Sequence, residues 1–204
     1  MAEVALVISG GFHPSSYTAQ MLTIVAMDSL LSQIPVVTVD AAASVAPLSG
    51  QALRQALEQA CSSDLALTET SRGWPELIIW AFSAGCVGTA SLAHYWLRYR
   101  APVRALFWVD GWGVPWDGSA PLHRLSHDYV TYRATRYLGS QGVGFLATPA
   151  VTHQRLWQSP QVVTGQQLGQ TAARPTAGPP QLSQSLTAAE FLCGWSRYYL
   201  TPGP

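Results

Sequence analysis

Lysine is absent from this 204-residue chain. All eleven basic residues are arginine, and eleven acidic residues balance them. A formal net charge of zero leaves no basic stripe for a nucleic-acid backbone and no acidic tail for a basic partner. Cysteine is scarce too. Cys61, Cys86 and Cys193 are odd in number and far apart, which excludes a disulfide framework and a paired-cysteine zinc site and suits a reducing compartment. No apolar run approaches the length of a membrane span. The short run after Met1-Ala2-Glu3 lacks the basic flank and the length of a secretory signal. The expectation is a cytoplasmic protein with no cofactor, no metal, no nucleic-acid partner and no transmembrane segment.

What is present is apolar. Hydrophobic residues make up 48% of the chain and charged ones 11%, so 204 residues suffice for one domain, 1–204, with its own core. Eight Trp and eight Tyr supply material for a lid or an interface. Aromatic surface on an uncharged chain favours association, with a protein partner or as a homodimer.

The chain is organised around residues 76–98. Glu76-Leu77-Ile78-Ile79-Trp80-Ala81-Phe82 is a short uninterrupted apolar run, as in a strand buried on both faces of a parallel sheet. After Ser83 the composition turns to small residues, and then Leu92, Tyr95, Trp96 and Tyr99 recur at helical spacing. Small residues at 81, 84, 85 and 88 allow a sharp turn and a helix close to the sheet. Other strands are expected at Val4–Ser9, Ile34–Val39, Pro102–Val109 and Gly142–Ala147, with a candidate sixth at Gln161–Thr164. Helices are expected from Ser15 or Ser16 to about Leu31, over Gln51–Cys61 and over Thr187–Leu200. The fold class is therefore α/β, a three-layer sandwich whose mostly parallel sheet of five or six strands, ordered 2-1-3-4-5, carries helices on both faces. That order puts the Gly10–Pro14 loop and Ser83 at the switch point, where such sheets bind ligands. Two segments stand outside the core. Residues 111–139 form a lid-like insertion, helical across His123–Leu138, and 166–185 a flexible connection before the C-terminal helix. Ala41–Leu48 reads as a small-residue loop.

Ala81-Phe82-Ser83-Ala84-Gly85, between a strand and a helix, resembles the G-x-S-x-G nucleophile elbow of the α/β-hydrolase superfamily, with Ala in place of the first glycine. The resemblance implies a small serine esterase or lipase-like member, shortened and with a triad that is either moved or decayed. It implies Ser83 as nucleophile, and an oxyanion hole from the N–H of Ala84 and from the loop holding Gly11 and Phe12. The same residues also suit a plain βα turn with Ser83 as an N-cap, and a Gly-Gly turn that only enters a helix or cradles a phosphate.

A serine hydroxyl needs a base and a carboxylate to orient that base. His153, on the loop after the strand at Gly142–Ala147, is the chosen base, and Asp110, ending the strand before the insertion, the chosen acid. Ser83…Asp110…His153 follows the Ser–acid–His order of the superfamily. The positions depart from it: the loop at Thr148-Pro149, where the superfamily usually carries its acid, has no carboxylate, and no histidine comes after His153. Asp110-Gly111 can also be only a turn, and His153 only a cap. His13, beside the oxyanion loop, is a candidate substrate contact. So are Trp112 and Trp116, which Gly113 and Pro115 keep off a regular helix and which suggest an apolar ester or acyl substrate. His123 and His127, four apart on an expected helix, offer two metal ligands but no third. His94 is structural in this reading, and Cys86 a small core residue.

Two readings result. One is a serine hydrolase of a carboxylic ester or thioester with an apolar acyl or aromatic group. The alternative is a non-catalytic binding or scaffold protein that uses an apolar cleft or a Trp-rich surface.

Overall fold

Runs such as Val4–Ser9 and Glu76–Phe82 offer no polar face to water, so they are stable only with both faces covered. The computed structural model describes residues 3–39, 46–63, 73–111, 113–139, 142–169 and 185–201. Its strands are β1 Val4–Ser9, β2 Val36–Val39, β3 Glu76–Phe82, β4 Val103–Val109, β5 Leu122–Ser126, β6 Gly144–Ala147, β7 Thr164–Leu168 and β8 Leu186–Thr187. They form one sheet in the order 2-1-3-4-5-6-7-8, parallel from β2 to β6 and antiparallel at β6–β7 and β7–β8. The helices are α1 Ser15–Met27, α2 Gly50–Ser63, α3 Gly85–Tyr99, α4 Tyr129–Thr135, α5 His153–Gln158 and α6 Ala188–Leu200.

Alternation along the strands splits the core in two. Leu6, Ile8, Ile78, Trp80, Phe82 and Phe107 pack under α1, α5 and α6. Ala5, Val7, Leu77, Ile79, Leu106 and Trp108 pack under α2 and α3. The architecture is the expected α/β sheet with helices on both faces, but among the described residues it has eight strands. Among the described residues no helix is long and apolar enough to cross a membrane.

The largest difference from expectation is the insertion at 111–139. It contains β5, which fills the place between β4 and β6, so this segment is an integral part of the sheet and not a lid. The helix expected across His123–Leu138 shrinks to α4, followed by a 3-10 turn. Leu122-His123-Arg124-Leu125-Ser126 is buried throughout although three of its five residues are polar. Each of two large ones is individually satisfied. His123 Nδ1–H donates to the Val143 carbonyl at 2.9 Å, which leaves Nε2 to accept from the Tyr199 hydroxyl at 3.0 Å. Arg124 donates to the carbonyls of Val114, Leu138 and Gly139 and lies over the Trp108 ring. Burial lowers both pKa values, His123 to about 4 and Arg124 to about 10.

The strand expected at Gln161–Thr164 starts later, as β7, so Gln166, Gln167 and Leu168 belong to the sheet and not to a connection. The remainder of that connection, 170–184, lies outside the described residues, as do 41–45 of the loop expected at Ala41–Leu48.

Candidate active site

β3 ends at Phe82, paired in register with Val109 at the end of β4. The next residue of each strand, Ser83 and Asp110, takes a positive φ, 51° and 52°. For residues with a Cβ this backbone is disfavoured, and it is held here by fixed pairing. The Ser83 N–H donates to the Val109 carbonyl at 2.9 Å and the Asp110 N–H to the Leu125 carbonyl at 2.8 Å. α3 then begins at Gly85, where a Cβ would lie 2.6 Å from the carbonyl oxygens of Ser9 and Gly10. Only glycine lets the helix start this close to β1.

His153 is the first residue of α5. Its ring stacks on Phe82, centroids 4.7 Å apart, and Trp157 stacks on the same ring. The Val151 N–H donates to the His127 carbonyl, tying this loop to the end of β5. Thus placed, His153 Nε2 lies 3.1 Å from Ser83 Oγ and Nδ1 lies 2.9 Å from Asp110 Oδ2. A carboxylate only accepts, so Nδ1 carries the proton and Nε2 presents its lone pair to the serine hydroxyl. Ser83, His153 and Asp110 thus form one chain of hydrogen bonds.

Asp110 has a second neighbour. Its fully buried carboxylate accepts the His127 backbone N–H at Oδ1, 3.0 Å away. His127 Nδ1 stands 2.9 Å from Oδ2, close enough to interact but without the alignment of a regular hydrogen bond. The Asp110 carboxylate raises the His127 pKa above its ordinary value, and burial opposes the rise. Nε2 of the same ring is 3.6 Å from Asp128 Oδ2. Among the described residues, Asp110, His127 and His153 are the one group of three possible metal ligands, with ligand atoms all within 4.8 Å of one another. His123, the partner considered for His127 on an expected helix, points instead into the core from β5.

The loop after β1 closes the site. A Cβ on Gly11 would lie 3.0 Å from Ser83 Cβ and 3.4 Å from the Ala84 nitrogen, so the loop backbone runs against the elbow. Among the described residues, the Phe12 and Ala84 N–H groups donate to no turn or loop carbonyl. The Phe12 side chain is exposed.

Other expected positions fall elsewhere. His13 is buried, stacked on Tyr17 and packed against Phe82 and Trp157, and its Nδ1–H donates to the Pro14 carbonyl. It therefore supports the loop from behind. Trp116 does not line an opening: it is buried against Trp108, its Nε1–H donates to the Ala120 carbonyl, and it covers the α3 side of the sheet. Trp112 lies outside the described residues. Cys86 is buried, and burial holds its thiol well above the ordinary range, so it stays protonated. Phe82, Trp157 and His127 had no role at this site in the sequence reading. The first two sit one residue before the nucleophile and one helical turn after the base, spacings that would have marked them as the ring's support.

Comparison of the chain with family models and with curated proteins finds no match.

Proposed function

We propose that this chain is a serine hydrolase that cleaves a carboxylic ester or thioester carrying an apolar acyl or aromatic group. The observation behind this reading is the continuous Ser83–His153–Asp110 hydrogen-bond chain at a left-handed strand end. Ser83 Oγ attacks the acyl carbon while its proton passes to His153 Nε2. Asp110 stabilises the resulting imidazolium, and the N–H groups of Ala84 and Phe12 receive the oxyanion. Collapse expels the alcohol or thiol, which takes the proton from His153. Water, deprotonated by the same nitrogen, then releases the acid and restores Ser83.

The preference for an apolar group rests on the exposed side chains at this edge. Phe12 is 59% exposed, and Val87 in the first turn of α3 and Tyr129 and Val130 at the start of α4 are exposed as well. Each of these residues follows a strand whose carboxyl end lies at the edge that carries Ser83. The scaffold alternative rests on the low charge, the small size and the absence of a carboxylate after the strand expected at Gly142–Ala147. Asp110, within hydrogen-bond distance of His153, removes the last of these grounds. The test is labelling of the purified protein by a fluorophosphonate. Covalent modification at Ser83, absent in Ser83→Ala, is expected; no labelling of the folded wild-type chain overturns the reading.

A further inference from the structure

We propose that Asp110, His127 and His153 form a site for one zinc ion, and that zinc and the Ser83–His153–Asp110 hydrogen-bond chain exclude each other. A nucleophile, a base and an acid need one imidazole on the carboxylate. Here there are two. His127 Nδ1 and His153 Nδ1 both lie 2.9 Å from Asp110 Oδ2. Zinc held at about 2.1 Å by nitrogen and oxygen ligands in a tetrahedron needs ligand atoms about 3.4 Å apart. Each Nδ1 lies 2.9 Å from Oδ2, and one ligand atom from each of the three residues lies within 4.8 Å of the others, so small side-chain rotations bring them onto such an ion.

The orientation of His127 is the second observation. Its buried Nδ1 has no hydrogen-bond partner, although a carboxylate oxygen is adjacent. A cation on the ring's own axis meets that oxygen from the side, which an N–H cannot do. When Nδ1 ligates, the proton must sit on Nε2, and Asp128 stands on that side, 3.6 Å away. An outer carboxylate behind a ligating imidazole fixes its tautomer and strengthens the ligand. Two imidazoles and a carboxylate, with water in the fourth place, suit zinc among the common divalent ions.

The consequence for His153 follows from its tautomer. Zinc takes the Nδ1 lone pair, so the Nδ1 proton leaves to water and a proton from water settles on Nε2. The nitrogen that accepted from Ser83 then donates to it, and no base remains beside the hydroxyl. The inhibition half of this inference rests on the serine-hydrolase reading; the binding half does not.

The experiment uses the metal-free full chain. Zinc retention is measured by equilibrium dialysis against zinc chloride, and the ligand field by cobalt(II) absorption. One zinc per chain is expected in the wild type and in Ser83→Ala, with at least tenfold weaker retention in His127→Ala and in the gentler His127→Gln. Fluorophosphonate labelling is expected to stop with zinc and to return with a chelator. No zinc retained by the wild type, or equal retention in His127→Ala, His127→Gln and Asp110→Asn, overturns the proposal. Zinc bound without any labelling in its absence removes the hydrolase reading and leaves the metal site. Labelling that proceeds in excess zinc, with none retained, removes the metal site and leaves the hydrolase.

Discussion

Ser83 and Asp110 share one backbone conformation, φ 51° and 52°, each one residue beyond the register pair Phe82–Val109 on adjacent parallel strands. The nucleophile and the acid are thus set side by side by the same deviation at the same sheet edge. His153 needs only to be brought over them, and the Phe82 ring on which it stacks belongs to the same strand end.

Ser83→Ala is expected to reduce any ester hydrolysis by several orders of magnitude, as loss of a triad member does, with the fold intact. Ser83→Gly removes the hydroxyl too, but also the Cβ that disfavours a left-handed backbone. It should be more stable than Ser83→Ala by about 1 kcal/mol, read from denaturant midpoints. Equal midpoints would mean that the turn carries no strain.

His153→Ala and Asp110→Asn act on one proton path. The double variant should therefore hydrolyse a model ester about as slowly as the worse single variant, because coupled groups are strongly non-additive. Losses that multiply would separate the two residues.

The buried His123 ties stability to acid. Its pKa is about 4 in the folded chain and 6.5 when free of the fold. Above pH 6.5 both states hold it neutral and its contribution is complete. As pH falls through this window the unfolded chain takes up the proton first, so stability drops, by roughly 3 kcal/mol once pH is below 4. His123→Phe loses its bonds to Val143 and Tyr199 at neutral pH but should show a flatter decline between pH 6.5 and 4. Parallel curves for variant and wild type in denaturant titrations would remove His123 as the cause.

Trp116→Ala should cost about 3–5 kcal/mol of stability, the usual penalty for truncating a buried aromatic. KM for a small ester should stay close to wild type, since the side chain packs on Trp108 and away from Ser83. A raised KM with unchanged stability would restore the lid reading.

Most of the fold is legible in the sequence because the strands β1, β3 and β4 are nearly unbroken apolar runs, and the helices between them carry clear periodicity. β5 is not. A strand buried on both faces should read as Val, Ile and Leu, but here His123 and Arg124 are buried by fixing carbonyls and a hydroxyl that are distant in sequence. No periodicity within 122–126 encodes partners at 138, 143 and 199. Missing this strand displaced His127 onto a helix and turned structural Trp116 into a lid residue. The Ser83–Asp110–His153 grouping survived that error because Asp110 ends β4, before the misread segment begins, and His153 follows β6, after it ends.

Helix α6 closes one side of the sheet from the far end of the chain. Ser196 accepts from Trp80, Tyr199 meets His123, and Arg104 reaches the carbonyls of Tyr199 and Leu200. Every strand that it covers is made before it. During synthesis on a ribosome, Trp80, Phe107 and His123 have left the exit tunnel while their cover is still inside it. A nascent chain stalled before Thr187 therefore displays the aromatic underside of its own nucleophile strand, the kind of surface that chaperones hold.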